Sequence, residues 1–147
     1  MITDPRNAYR QYSAGGNQSL HLVVLLYEQI IEDVRRAVAA LESGDVERRT
    51  AEINHALLVI GQLQGTLNLD EGGEVARNLD RFYESLRRCV LEGQISASRK
   101  ILEQQMLLVM EVREAWVEVE RQSSVAAPLP TRDFTEPAST PKADWRG

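Results

Sequence analysis

Residues 61–91 read GQLQGTLNLDEGGEVARNLDRFYESLRRCVL, two apolar-patterned stretches joined through Asp70-Glu71-Gly72-Gly73. Asp70 can cap a helix start, and Gly72 and Gly73 permit positive φ. Apolar residues resume helical spacing at Val75, Leu79, Phe82 and Leu86. The stretch therefore predicts two helices meeting at a tight turn, as in a compact antiparallel bundle.

Upstream, Val23, Tyr27, Ile30, Val34, Val38 and Leu41 form one stripe of a first helix over about 20–42. Asn17 or Ser19 is its expected cap and Gly44 its stop. Asp45 then caps a second helix to about Leu67, with Val46, Ile53, Leu57, Ile60, Leu63 and Leu67 on its stripe. The connection is short, so the two should lie antiparallel. A third helix is expected from about Glu74 to Leu91, closing at Gly93. A fourth follows from about Ala97 to Gln122, with Leu102, Val109, Val112, Trp116 and Val119 at three- and four-residue steps.

Pro5 apart, every proline lies at Pro128 or beyond, so the interval from Arg6 to Ala127 contains none. That distribution favours a helical body between irregular ends. The fold class predicted is all-α: an antiparallel up-down four-helix bundle over 19–122, a flexible N-terminal arm over 1–18 and a disordered tail over 123–147. The tail is rich in Pro, Ser and Thr, and Phe134 and Trp145 are its isolated aromatics.

With 147 residues the chain suffices for one domain with a core of its own. A single cysteine, Cys89, excludes an internal disulfide and reads as a buried thiol without a redox role. No basic start precedes a long apolar run, and the run from Leu22 to Tyr27 is far short of the ~20 residues a membrane helix needs. The expectation is a soluble cytoplasmic protein without membrane insertion. Formal net charge is −5, and the basic pairs Arg35-Arg36, Arg48-Arg49, Arg87-Arg88 and Arg99-Lys100 are scattered among acids. Phosphate-backbone binding needs a concentrated basic stripe, so nucleic acid is not an expected partner.

Two segments carry more apolar residues than one stripe requires. Helix one reads Leu20, Leu22, Val23, Val24, Leu25, Leu26, Tyr27, and helix four reads Met106, Leu107, Leu108, Val109, Met110, Val112. Consecutive apolar residues point around a helix, so some must face an additional element or a partner. Left uncovered, a few such side chains make a patch on the order of a few hundred Å², and methionine suits a surface that accepts several shapes. Burial within the chain, under the N-terminal arm, is the plainer use for the same residues. That arm places Tyr9 and Tyr12 three residues apart before Ala14-Gly15-Gly16, suited to a removable cover. Gly61 and Gly65 mark either tolerated flexibility or a close helix approach.

Convergent chemistry is sparse. Glu52 and His55 form one Glu-x-x-His unit, whereas a carboxylate-bridged di-iron bundle needs two plus further glutamates. No lysine accompanies His55 to support phosphotransfer, and neither a phosphate loop nor a nucleophile signature occurs. The chain is read as no enzyme, with no catalytic residue, metal or cofactor.

Several features in order resemble the FliS family of flagellin-export chaperones over roughly residues 7–120. They are Asn7-Ala-Tyr9-x-x-Tyr12, Leu22-x-x-x-Leu26-Tyr27-Glu28, Gly44-Asp-Val-Glu-Arg-Arg49, Leu67-Asn68, Glu71-Gly-Gly-Glu-Val-Ala-Arg-Asn-Leu79 with Phe82-Tyr83, and Arg113-Glu-Ala-Trp116. The resemblance implies a cytoplasmic four-helix bundle that binds the disordered C-terminal segment of flagellin. Such a protein prevents premature polymerisation and presents its client to the flagellar type III export gate. It also implies an arm, anchored here by Tyr9 and Tyr12, that the client displaces. The expected partner contacts are Tyr9, Tyr12, Leu22, Leu26, Tyr27, Leu67, Asn68, Met106 and Met110. A homodimer with a structural or regulatory role is the alternative, and a weak homodimer is compatible with either reading.

Overall fold

A computed structural model describes residues 17–126, with side chains from 19 to 123. The expected arm with Tyr9 and Tyr12 and the tail with Phe134 and Trp145 lie outside the described residues. Four helices follow in order: α1 (Asn17–Ser43), α2 (Val46–Gly65), α3 (Gly73–Ser96) and α4 (Arg99–Ala126). α1 packs on α2 and α4, and α3 packs on the same two, so the helices close a four-membered ring of antiparallel neighbours.

The turns explain the antiparallel path. At Gly44, φ is +78°, a value costly for any residue with a Cβ. Gly44 N–H donates to Leu41 O (3.2 Å) and Asp45 N–H to Ala40 O (2.8 Å), which satisfies the last carbonyls of α1. Asp45 Oδ1 then accepts from Arg48 N–H at 3.0 Å and caps α2 as expected. At the other pole the expectation needs correcting. Asp70 does not cap α3; Asn68 Oδ1 accepts from the N–H groups of Asp70 (3.1 Å) and Glu71 (3.0 Å), and the cap position is Gly72. Of the two glycines of this turn, Gly73 alone has positive φ (+65°). Gly72 is required for space, because a Cβ there would stand 2.7 Å from Asn68 O and 2.5 Å from Ala76 Cβ.

Helix limits also differ from the periodicity. α1 is already helical at Asn17, so Asn17 and Ser19 lie within it rather than before it. Polar residues there add no apolar signal, and the pattern points to Leu20. α3 passes through Gly93 to Ser96, and α4 starts at Arg99. Gly93 is not a stop but a contact: a Cβ there would lie 2.7 Å from Leu102 Cδ2 of α4. The turn is instead made at Ala97, φ +50°, with Ser98 N–H donating to Gly93 O at 2.9 Å.

The predicted stripe of α1 is the core, with Val23, Tyr27, Ile30, Val34 and Val38 all buried. Ile53, Ile60 and Leu63 of α2 and Leu102, Val109 and Trp116 of α4 meet it. Val46 does not, being 59% exposed in the first turn of α2 at the rim of the bundle. Cys89 is half-buried rather than buried. No helix of this chain packs closely on Gly61 or Gly65: a Cβ at Gly61 would meet only Arg87 Nη2 at 3.7 Å, and one at Gly65 would meet nothing within 4 Å.

In the centre, the Tyr27 and Tyr83 hydroxyls are 2.8 Å apart across the α1–α3 diagonal, their rings edge-on at 6.2 Å. Trp116 also hydrogen-bonds Tyr27, and an indole N–H can only donate. Burial pushes the Tyr27 hydroxyl up to about 12, against the opposing pull of those two hydrogen bonds.

Candidate functional site

The two sides of α1 are built differently. Glu28 and Arg35 share a groove of about 270 Å³ with Met110, Arg113 and Glu114 of α4. Three polar pairs close that seam: His21 Nδ1 with Glu120 Oε2 at 2.9 Å, and the ion pairs Glu28–Arg113 at 2.5 Å and Glu42–Arg99. From pair to pair the α1 number climbs 21, 28, 42 while the α4 number falls 120, 113, 99, so one antiparallel register serves all three. Each step is a whole number of double turns, which keeps the partners on one line.

The other side of α1 carries Leu22, Leu26, Gln29 and Asp33 at helical steps of four, three and four. Asp33 is buried at 1% exposure, and its carboxylate accepts from Gln29 Nε2 (2.9 Å) and lies 2.6 Å from His55 Nδ1 of α2. Toward the N-terminus of α1 this seam opens. Leu22, Leu26, Leu63, Leu67, Asn68 and Leu69 line a groove of about 660 Å³.

Its floor and rim follow from the end of α2. Leu63 is fully buried, and its carbonyl accepts both the Thr66 N–H (3.2 Å) and the Thr66 hydroxyl (2.8 Å), which stops the helix. Gly72 N–H donates to Asn68 O at 2.7 Å and holds the turn from below. Leu67 consequently packs against the core while Leu69 stays 44% exposed. Because Asn68 Oδ1 takes two backbone N–H groups, its Nδ2 is left to donate elsewhere.

Of the expected contacts, the fold brings together Leu22, Leu26, Leu67 and Asn68 in this one groove. Met110 is on the opposite shoulder of α1, and Met106 is half-buried against the core. Tyr27 is wholly buried in the central hydrogen-bonded cluster and presents no surface. The surplus apolar residues are thus real but divided: Leu22 and Leu25 are exposed on α1, and Leu107, Leu108 and Met110 on α4. Leu63 is read from the sequence as a core residue of α2 rather than as groove lining, and Thr66 and Leu69 escaped the sequence reading. An apolar Leu69 inside a polar turn was the available signal.

Glu52 pairs with Arg48 at 3.6 Å and His55 with Asp33, so these two point to different partners. Among the described residues no three His, Cys, Asp or Glu side chains cluster to hold a metal ion. No helix among the described residues is long and apolar enough to cross a membrane.

Residues 2–123 match the family described as flagellar protein FliS. This chain belongs to the FliS family. Relatives share its sequence over most of their length. A flagellar secretion chaperone FliS of Campylobacter jejuni is 28% identical over 120 residues, covering 82% of this chain and 94% of the relative. FliSB of Pseudomonas aeruginosa is 32% identical over 95 residues, 65% and 75% of the two chains. FliS of Bacillus subtilis is 27% identical over 115 residues, 78% and 85%. The FliS-family match covers every helix that builds the groove.

Proposed function

We propose that this FliS-family chain is a cytoplasmic, non-catalytic export chaperone that holds the C-terminal segment of flagellin. It keeps the client from polymerising early and delivers it to the flagellar export apparatus. The observation that carries this reading is the open α1–α2 groove, apolar along Leu22, Leu26 and Leu67, with Asn68 at its rim. Such a groove suits the apolar face of an amphipathic helix, with one polar donor to fix its direction. Ordering the client on binding offsets ~2–5 kcal/mol of the gross interaction, which keeps release feasible without nucleotide hydrolysis. The names of the relatives, flagellar secretion chaperones, support a client that is exported by the flagellar apparatus.

Titration of the full chain with a flagellin C-terminal peptide tests the proposal. Binding should gain helicity and show a negative heat-capacity change, and Leu26→Ser with Leu67→Ser should weaken it by ~100-fold or more. Equal response to a scrambled peptide would reject specific recognition. A stable dimer in sedimentation, unmoved by the peptide, would favour the homodimer instead.

A further inference from the structure

We infer that an apolar slot between α3 and α4 seats this chain's own C-terminal segment, with the Phe134 ring as the plug. Val75 and Leu79 of α3 and Val112, Ala115, Trp116 and Val119 of α4 line the slot, and its volume is about 130 Å³. Apart from the Trp116 indole N–H, which bonds Tyr27, every lining side chain is apolar. Val75, Leu79, Val112 and Val119 are half-buried and Ala115 is exposed, so the seam is left unfinished toward solvent. Apolar cavities of about 150 Å³ take up benzene, so the slot has room for one phenyl ring and not for the face of a helix.

This seam is made differently from the other three. α1–α4 carries the Glu28–Arg113 and Glu42–Arg99 ion pairs, α1–α2 the Asp33–His55 contact, and α2–α3 the hydrogen bonds of Gln64 with Asp80 and of Arg49 with Gln94. Among the described residues no ion pair joins α3 to α4. Instead α3 offers Val75, Leu79 and Phe82 at steps of four and three, and α4 offers Leu108, Val112, Ala115 and Val119 at steps of four, three and four. One turn beyond Val119 stands Ser123, 6% exposed, its hydroxyl without a hydrogen-bond partner among the described residues. A buried hydroxyl left unpaired is costly, and the backbone of a segment doubling back over the end of α4 can meet it.

Chain length selects the occupant. α4 runs past the slot and ends at Ala126, two residues before Pro128, which cannot continue a helix. From Ala126 back to the level of Trp116 is ~15 Å of helix. Leu129, three residues after Ala126, reaches ~10 Å and falls short, whereas Phe134, eight residues after it, reaches ~26 Å. Trp145 also reaches, but its indole is larger than the phenyl ring the slot suits, and its longer loop costs more to close. A segment tethered at Ala126 meets the slot at an effective concentration on the order of mM, which a partner free in solution does not match. The slot shares no residue with the α1–α2 groove, so this docking is independent of what fills that groove.

The test uses the full-length chain labelled with para-fluorophenylalanine, which marks Phe82 and Phe134 alone. Phe134→Ser removes one of the two fluorine resonances and so assigns both. The Phe134 resonance should lie away from its position in urea and lose most of its solvent isotope shift, at every protein concentration. Ala115→Leu, which fills the slot from an exposed site of α4, should return that resonance to the urea position and speed chymotrypsin cleavage after Phe134 by ~10-fold. Phe134→Ser should shift the resonance of Phe82, one turn along α3 from Leu79, and Trp145→Ser should not. Circular dichroism should show each variant folded. A Phe134 ring as solvated as in urea, or one unmoved by Ala115→Leu, would overturn the inference. So would a Phe82 response to Trp145→Ser in place of Phe134→Ser. Docking that sets in only as protein concentration rises would also overturn it, by making the tail of a second copy the occupant.

Discussion

α1 meets its two neighbours by opposite means. Toward α4 it is held at the surface by ion pairs in a single register, Glu28–Arg113 foremost. Toward α2 it is held by a buried carboxylate, Asp33, and by Leu63 at the floor of an unfilled groove. Surface ion pairs fix register without adding much stability, whereas buried groups stabilise strongly and are costly to disturb. The seam toward α4 is therefore the rail, and the seam toward α2 is the side left open as a groove.

That contrast can be broken most directly at Leu63. Leu63→Ala removes a fully buried side chain shared by core and groove, and should cost ~2–5 kcal/mol in denaturant unfolding. A cost below ~1 kcal/mol would show the groove floor to be independent of the core.

Alkaline titration probes the cluster between the seams. The folded pKa of Tyr27, about 12, exceeds the ordinary 10.0, so its contribution is complete below pH ~10 and is lost as pH rises toward ~12. The loss should approach ~2–3 kcal/mol over those two units and be absent in Tyr27→Phe. An identical alkaline slope in the variant would assign the effect to other groups.

Paired substitutions sharpen the comparison itself. Asp33→Ala should lower stability by ~1–3 kcal/mol, because it strips the buried acceptor from Gln29 and His55. Glu28→Ala, on the rail side, should cost no more than ~1 kcal/mol, and less in high salt, since its pair is partly solvated. Equal costs would erase the distinction. Smallest of all, and outside both seams, Ala97→Gly should raise stability by ~0.5–1 kcal/mol by relieving the left-handed turn at φ +50°.

Much of the fold was legible before any coordinates. Apolar residues at three- and four-residue steps marked four helices, and Gly44-Asp45 marked a turn with both its stop and its cap. The 66–73 turn was placed correctly, yet its hydrogen bonds were misassigned. Asp70 and Asn68 are equally able to cap, and only the path of the chain decides which acceptor faces the free N–H groups. The groove was half visible. Leu22, Leu26, Leu67 and Asn68 were singled out together, but Tyr27 and Met110 were grouped with them although one is central and the other sits across α1.

The sequence by itself determined what local periodicity and backbone sterics control: all-helical architecture, the core stripe of α1, the left-handed glycine at Gly44, and an excess of apolar residues in the first and last helices. Tertiary structure alone decided which side of each helix its neighbours cover. Side chains one residue apart, such as Leu26 and Tyr27, look alike in a hydrophobic run. Their directions differ by about 100°, and only the placement of α2, α3 and α4 seals one in the core while the other lines a groove.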